Sequence, residues 1–207
     1  MSQYFEIHPE TPQKRLIHRA VEILRAGEVI AYPTDSSYAL GCMIGDKDAM
    51  EVIRRIRRLD DKHHFTLMCR DLSEIATYAK VDNAQYRLLK ATTPGSYTFI
   101  LEGTKELPRR VLHPKRKTIG LRIPDHKVAL ALLAELDEPL LSSTLILPGE
   151  AMPLSDADTI EDRIGGLLDL IIDGGHTGVR PTTVIDLSEG VQILREGAGD
   201  TRDFIQS

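Results

Sequence analysis

The spacing of apolar residues changes along the chain, and each change marks an element. Residues 4–7 alternate weakly, as a short strand does, after which Thr11 and Pro12 supply an N-cap and a first-turn proline. Ile17, Ala20, Val21 and Leu24 recur at i, i+3, i+4 and i+7, so a helix is expected to about residue 26, with Gly27 ending it. Residues 28–32 read as a strand. Residues 47–59 read as an amphipathic helix with Ala49, Val52, Ile53 and Ile56 on its apolar stripe. Residues 65–69 are short and almost wholly apolar, the pattern of a buried strand.

Helical patterns recur at residues 72–79, 83–91 and 127–136. Strand patterns recur at 97–101, 118–123, 140–144, 170–173, 183–187 and 191–194, with Pro94-Gly95 and Pro124 as breaks. Helices interleaved with strands predict an α/β protein with helices packed on a large twisted sheet. The close spacing of strands near the carboxyl end predicts hairpins, and hence a mixed sheet. No interior stretch resembles a linker and no repeat is present, so residues 1–207 are expected to form one domain.

Composition narrows the class. With 42% hydrophobic and 28% charged residues and no low-complexity tract, the chain is of ordinary globular type, which argues against internal disorder. The start, MSQYFEIHPETPQKR, lacks a signal-peptide layout, and no apolar run approaches the roughly 20 residues that span a bilayer. A cytoplasmic protein without membrane contact is expected. Cys42 and Cys69 lie in apolar stretches without CxxC spacing and read as core thiols, not as a disulfide or zinc site; no metal site is expected.

A net charge of −5 argues against a uniformly basic nucleic-acid binder, yet cations cluster. One group is Arg54, Arg55, Arg57, Arg58 and Lys62; the other is Arg109, Arg110, Lys115, Arg116 and Lys117. Solvated faces account for such runs, and RNA binding is the sharper alternative. Few aromatics accompany them, so the RNA would be met at the phosphates of a double-stranded or structured region and not by base stacking.

The chain has no Walker A, GxGxxG, GxSxG or HExxH element. What remains are hydroxyl clusters at predicted strand ends: Thr34, Ser36 and Ser37; Ser142, Ser143 and Thr144; Thr182 and Thr183. The first string alone reads as a capped turn. Three clusters together are suited to a carboxylate, a carbamate or a ribose, because a hydroxyl both donates and accepts. Asp173-Gly174-Gly175-His176 fits either close approach of an anion or a tight turn. His176 has no nucleophile near it in sequence and receives no catalytic role. Arg122 sits inside an apolar strand and needs a carboxylate or a ligand, and Arg195, at a strand end, poses the same choice.

Together these segments resemble the YrdC/YciO family, whose best-known members are L-threonylcarbamoyladenylate synthases. The family's P-T-D/E-T-x-Y-G-L stands here as Pro33-Thr34-Asp35-Ser36-Ser37-Tyr38-Ala39-Leu40, and its P-G-P-x-T as Pro94-Gly95-Ser96-Tyr97-Thr98. In order follow Gly120-Leu121-Arg122-Ile123-Pro124, Ile172-Asp173-Gly174-Gly175, Thr182-Thr183-Val184 and Leu194-Arg195-Glu196-Gly197. The resemblance implies a twisted, mainly mixed sheet around a broad basic cavity suited to nucleotides and double-stranded RNA. In the synthases, a carbamate made from threonine and bicarbonate attacks the α-phosphate of ATP, and the product feeds tRNA modification.

The resemblance assigns Ser36, Arg122, Ser143 and Thr182 to the threonine side and Arg195 to phosphate. The family's K-x-R falls on Arg57-Arg58-Leu59, which makes Arg57 and Arg58 the candidate nucleotide cations and replaces the second cation by leucine. Its S-x-N falls on Ser143-Thr144-Leu145, and a histidine expected beside threonine falls on Met68. Losing one preorganised donor costs about 100-fold or more in rate. The expectation is therefore a protein that binds an adenine nucleotide or a threonylcarbamoyl-AMP-like adenylate and processes or hydrolyses it, with Mg²⁺ only as a companion of the nucleotide. The alternatives are a noncatalytic binder of double-stranded RNA or tRNA, and a synthase in which Arg57 and Arg58 together replace K-x-R.

Overall fold

The computed structural model describes residues 1–60, 63 and 65–205, which leaves Lys62 of the first basic run outside the described residues. Ten strands form one sheet: β1 (Gln3–Glu6), β2 (Ile30–Pro33), β3 (Tyr38–Met43), β4 (Thr66–Met68), β5 (Tyr97–Glu102), β6 (Thr118–Arg122), β7 (Leu140–Thr144), β8 (Leu170–Asp173), β9 (Thr183–Asp186) and β10 (Gln192–Arg195). Their spatial order is β1-β8-β2-β3-β7-β4-β6-β5-β9-β10. The pairs β1/β8, β2/β8, β4/β6 and β5/β9 are parallel. The pairs β2/β3, β3/β7, β4/β7, β5/β6 and β9/β10 are antiparallel, so the mixed sheet and the carboxyl-terminal hairpin are both as expected.

Among the described residues six α-helices flank the sheet: α1 (Lys14–Arg25), α2 (Lys47–Arg57), α3 (Leu72–Tyr78), α4 (Asn83–Thr92), α5 (Lys127–Leu136) and α6 (Ala157–Ile164). Three details depart from the sequence reading. Helix α1 starts after Gln13, not at Thr11: the His8 ring accepts the Glu10 and Thr11 N–H groups at 3.1 Å, which makes residues 8–11 a turn. Strand β3 is buried on both faces and carries no alternation to betray it. Helix α6 is only eight residues long, and its start is set by the Asp156 carboxylate accepting the Thr159 N–H at 2.8 Å.

The two sheet faces are covered unequally, and this positions the site. Helices α1 and α5 pack on one face with Ile30, Tyr32, Ala39, Met68, Leu140, Leu170 and Ile172, over the half of the sheet from β8 to β4. The opposite face carries the larger core, with α2, α6 and buried side chains from β8 to β9. The α1/α5 core includes no residue of β6, β5 or β9.

The link from β8 to β9 crosses seven strand positions. At about 4.8 Å per strand that is about 34 Å, close to the full reach of the roughly ten peptide steps available. Residues 174–182 consequently run without regular structure. They pass close over the 34–37 turn: a Cβ on Gly178 would lie 3.2 Å from the Ser36 carbonyl oxygen.

Candidate functional site

On β4, β6, β5 and β9, Leu67, Leu121, Phe99 and Ile185 enter the larger core. Their alternate neighbours Thr66, Gly120, Thr98, Ile100 and Val184 therefore face the side that α1 and α5 leave open. Strand register sets Thr66 beside Gly120, Gly120 beside Ile100, and Thr98 beside Val184. These small side chains form the floor of a cavity of about 350 Å³. Gly120 keeps the floor low, since a Cβ there would come within 3.1 Å of Thr98 Cγ2 and 3.3 Å of Thr66 Oγ1.

Two arginines wall the cavity from opposite ends. Arg57, the last residue of α2, donates from Nη1 to Ser143 Oγ at 2.6 Å and from Nε to the Ile146 carbonyl at 3.2 Å. Arg195, at the end of β10, donates from Nε to the Thr182 carbonyl at 2.9 Å and from Nη2 to Thr182 Oγ1 at 3.1 Å. Neither guanidinium pairs with a carboxylate among the described residues, and burial draws the pKa of each below its usual value. Among the described residues lining the cavity none is acidic, and His63 is the remaining ionisable group. Arg195 is thus held by a hydroxyl and a carbonyl, not by a salt bridge.

A second cluster adjoins this one on the same strand face, two residues along β6 from Gly120. Arg122 forms a buried ion pair with Asp35 and donates from Nη1 to Ser36 Oγ at 3.0 Å. Ser96 Oγ donates to the other Asp35 oxygen at 3.1 Å. Thr34 caps the turn, its Oγ1 accepting the Ser36 and Ser37 N–H groups at 3.2 Å. The capped-turn reading therefore describes Thr34, whereas Ser36 turns its hydroxyl to Arg122. Arg122 Nε is buried and has no partner among the described residues. His126 caps α5 through Nδ1, and burial lowers its pKa against the pull of Asp35, Glu10 and Asp125.

The structure therefore brings Ser36 and Arg122 into one cluster, and Arg57, Ser143, Thr182 and Arg195 into one cavity. Arg58 goes elsewhere. It ends α2 in the left-handed conformation, with φ of 52°, and is exposed, away from the cavity-lining residues. Leu59 packs against the larger core, and Leu145 is fully buried. Met68 points into the α1/α5 core. The Asp173 turn is a tight turn whose Gly174 and Gly175 N–H groups go to Tyr38 Oη at 3.2 Å and to Asp173 Oδ1 at 2.9 Å. Cys42 and Cys69 are free and buried, and no group of three or more potential metal ligands forms among the described residues. Thr66, Thr98, Gly120 and His63 escaped the sequence reading as site residues. Only the register of three strands separated in sequence, β4, β6 and β5, makes the first three neighbours.

The basic runs divide. Lys47, Arg54, Arg109, Arg110 and Lys117 line a groove of about 410 Å³ beside α2, with Glu51 as its acidic member. Arg55 and Lys115 are exposed outside it. Arg116 is engaged internally, donating to buried Asp186 at 2.8 Å and to Ser188 Oγ at 3.1 Å. Burial pushes the Asp186 carboxyl up, but the Ser188 and Arg116 contacts outweigh it and leave the pKa below its usual value. No helix among the described residues is long and apolar enough to cross a membrane.

Residues 22–197 match a domain family, Sua5/YciO/YrdC, described as "Telomere recombination". The chain is 60% identical over 206 residues to the YciO protein of Escherichia coli K12, covering 99% of this chain and all of that one. It is 32% identical to the threonylcarbamoyl-AMP synthase of Coxiella burnetii RSA 493, covering 86% of this chain and 96% of that one. The crystal structure of E. coli YciO superposes with a TM-score of 0.96 at 60% identity, covering 99% of this chain and all of that one. The P. abyssi Sua5 structure complexed with L-threonine gives 0.87 at 25% identity, over 95% of this chain and 58% of that one.

Proposed function

The chain belongs to the Sua5/YciO/YrdC family, and from that premise we propose that its cavity binds the phosphate of an adenylate of the threonylcarbamoyl-AMP type and hydrolyses it. The observation that carries this reading is the pair of arginines, Arg57 and Arg195, facing one cavity with no carboxylate to neutralise either. Each commits Nε and one further N–H to the protein and keeps its other donors, an arrangement that favours oxygen-rich anions. Ser143 and Thr182 add hydroxyls at the same walls, and Ser36 with Arg122 supplies the adjoining polar cluster for the acyl end.

Hydrolysis asks less of this cavity than synthesis. Water attacks the carbonyl carbon of the mixed anhydride, the bond from that carbon to the phosphate oxygen breaks, and AMP departs as the two guanidiniums take up the charge on phosphate, leaving a threonine carbamate that decays to threonine and CO₂. Synthesis must also hold the departing pyrophosphate, and here Leu59 and Leu145 face the core where the family pattern has a cation and an amide. Mg²⁺ enters this scheme only as a counter-ion carried by a nucleotide. The test is to incubate the protein with preformed threonylcarbamoyl-AMP while following AMP, and separately with ATP, Mg²⁺, threonine and bicarbonate while following pyrophosphate. AMP release without pyrophosphate synthesis is expected. Pyrophosphate release that depends on threonine and bicarbonate would instead establish the synthase, and silence in both assays would end the enzymatic reading.

The groove of Lys47, Arg54, Arg109, Arg110 and Lys117 favours a second reading, the binding of double-stranded RNA or tRNA through backbone phosphates. Both readings place the protein in the cytoplasm, with nucleotides and RNA. RNA affinity should fall steeply with salt and fall further in Lys47→Glu with Arg109→Glu. Affinity indifferent to both removes this reading. Arg116→Ala is a poor probe, because Arg116 holds Asp186.

A further inference from the structure

Thr98 and Thr182 bring their hydroxyls within 2.8 Å of each other on adjacent strands at the cavity floor. Two hydroxyls own two protons, and the contact between them uses one. Thr182 Oγ1 also accepts from Arg195 Nη2 at 3.1 Å. A cation on one lone pair withdraws electron density, which makes that hydroxyl a stronger donor and a weaker acceptor. That polarisation favours the order in which Arg195 donates to Thr182 and Thr182 donates to Thr98. The Thr98 hydroxyl keeps its proton and has no further protein partner among the described contacts. Its methyl group lies 3.1 Å from where a Cβ on Gly120 would stand, a place left free by the glycine, while its hydroxyl meets Thr182.

From this we infer that Thr98 is an anion-binding residue of the cavity, giving its proton to a ligand oxygen beside Arg195, at the end of a chain running from the guanidinium through Thr182. The group recognised is a phosphate or other oxyanion, since a donor placed next to a cation prefers an acceptor carrying negative charge. This assignment rests on the adenylate reading above and specifies which end of that ligand lies over β5 and β9. Thr98→Val keeps the shape of the side chain and deletes the donor. The same change leaves the Thr182 proton without its acceptor.

The experiment measures AMP and adenosine affinity by calorimetry in the wild-type protein, Thr98→Val and Thr98→Ser, with thermal melting of each. Thr98→Val should raise the Kd for AMP about tenfold or more, the effect of losing one hydrogen bond to a charged acceptor. Adenosine affinity should not change, and Thr98→Ser should restore AMP binding. AMP affinity that is unaltered in Thr98→Val overturns the inference while leaving the adenylate reading intact. Equal losses for AMP and adenosine also overturn it, because they report a deformed cavity and not a lost anion contact. Failure of the wild-type protein to bind AMP overturns the adenylate reading and this assignment with it.

Discussion

The Asp35–Arg122 ion pair is the most exacting place to test how the structure is held. Arg122 is 5% exposed, the Asp35 side chain is 13% exposed, and one Arg122 nitrogen already lacks a partner among the described residues. Burial draws the arginine pKa down and Asp35 opposes that shift, so the carboxylate offsets part of the cost of burying the guanidinium. Asp35→Ala leaves the guanidinium buried with Ser36 Oγ as its remaining side-chain acceptor. Removing one member of a buried pair costs about 3–5 kcal/mol. In a chain of this size each kcal/mol moves Tm by about 2–4 °C, so a fall of about 10 °C is expected. Arg122→Met leaves Asp35 with Ser96 and should cost a similar amount. The double variant removes both charges and should be more stable than the sum of the single losses by about 2–3 kcal/mol, because neither charge is stranded. Urea unfolding with linear extrapolation measures all four corners of the cycle. Single variants within about 1 kcal/mol of wild type, or a double variant at the simple sum, would refute the claim that the pair is desolvated and mutually dependent.

Three further outcomes follow from the same geometry. Gly120→Val should abolish AMP binding, since its Cβ would already lie 3.1 Å from Thr98 Cγ2 and its methyl groups would fill the floor; calorimetry showing wild-type affinity would contradict the placement of the cavity. Arg57→Leu should lower AMP affinity about tenfold or more while Arg58→Ala leaves it unchanged, the contrast expected of a charge-assisted contact beside an exposed helix cap. His126 has its pKa lowered by burial, so the unfolded chain binds more protons between the folded pKa and the ordinary 6.5. Its contribution is full above about pH 6.5 and is lost as pH falls through that interval. Urea midpoints measured from pH 7 to pH 5 should decline less steeply in His126→Asn, and an identical slope in both proteins rules this contribution out.

The chain's own pattern was enough to locate most elements, because their periodicities are local. Helix α5 and strands β7 and β8 fall on the expected residues, and β5 and β6 differ from expectation by one residue at their ends. Where the local signal failed, the cause is visible: β3 lies in the middle of the sheet with both faces buried, and the His8 ring took over the turn where Thr11 resembled a cap. Arg122 could be recognised from sequence as a charge in need of a partner, since an unpaired cation in an apolar strand is costly anywhere. That its partner is Asp35, 87 residues away, was decided by packing.

The cavity itself belongs to the tertiary structure. Thr66, Thr98, Gly120 and Val184 are unremarkable singly, and they become a floor only because β4, β6, β5 and β9 pair in one register beyond the reach of α1 and α5. Arg57 and Arg58 are adjacent in sequence and equally basic. The helix ends between them, so one side chain turns to Ser143 and the other to solvent. Sequence determined which chemical groups the protein owns and most of the elements that carry them. Which of those groups meet, and which charges are left unneutralised around one cavity, depended on the sheet order and on the half of one sheet face that α1 and α5 do not cover.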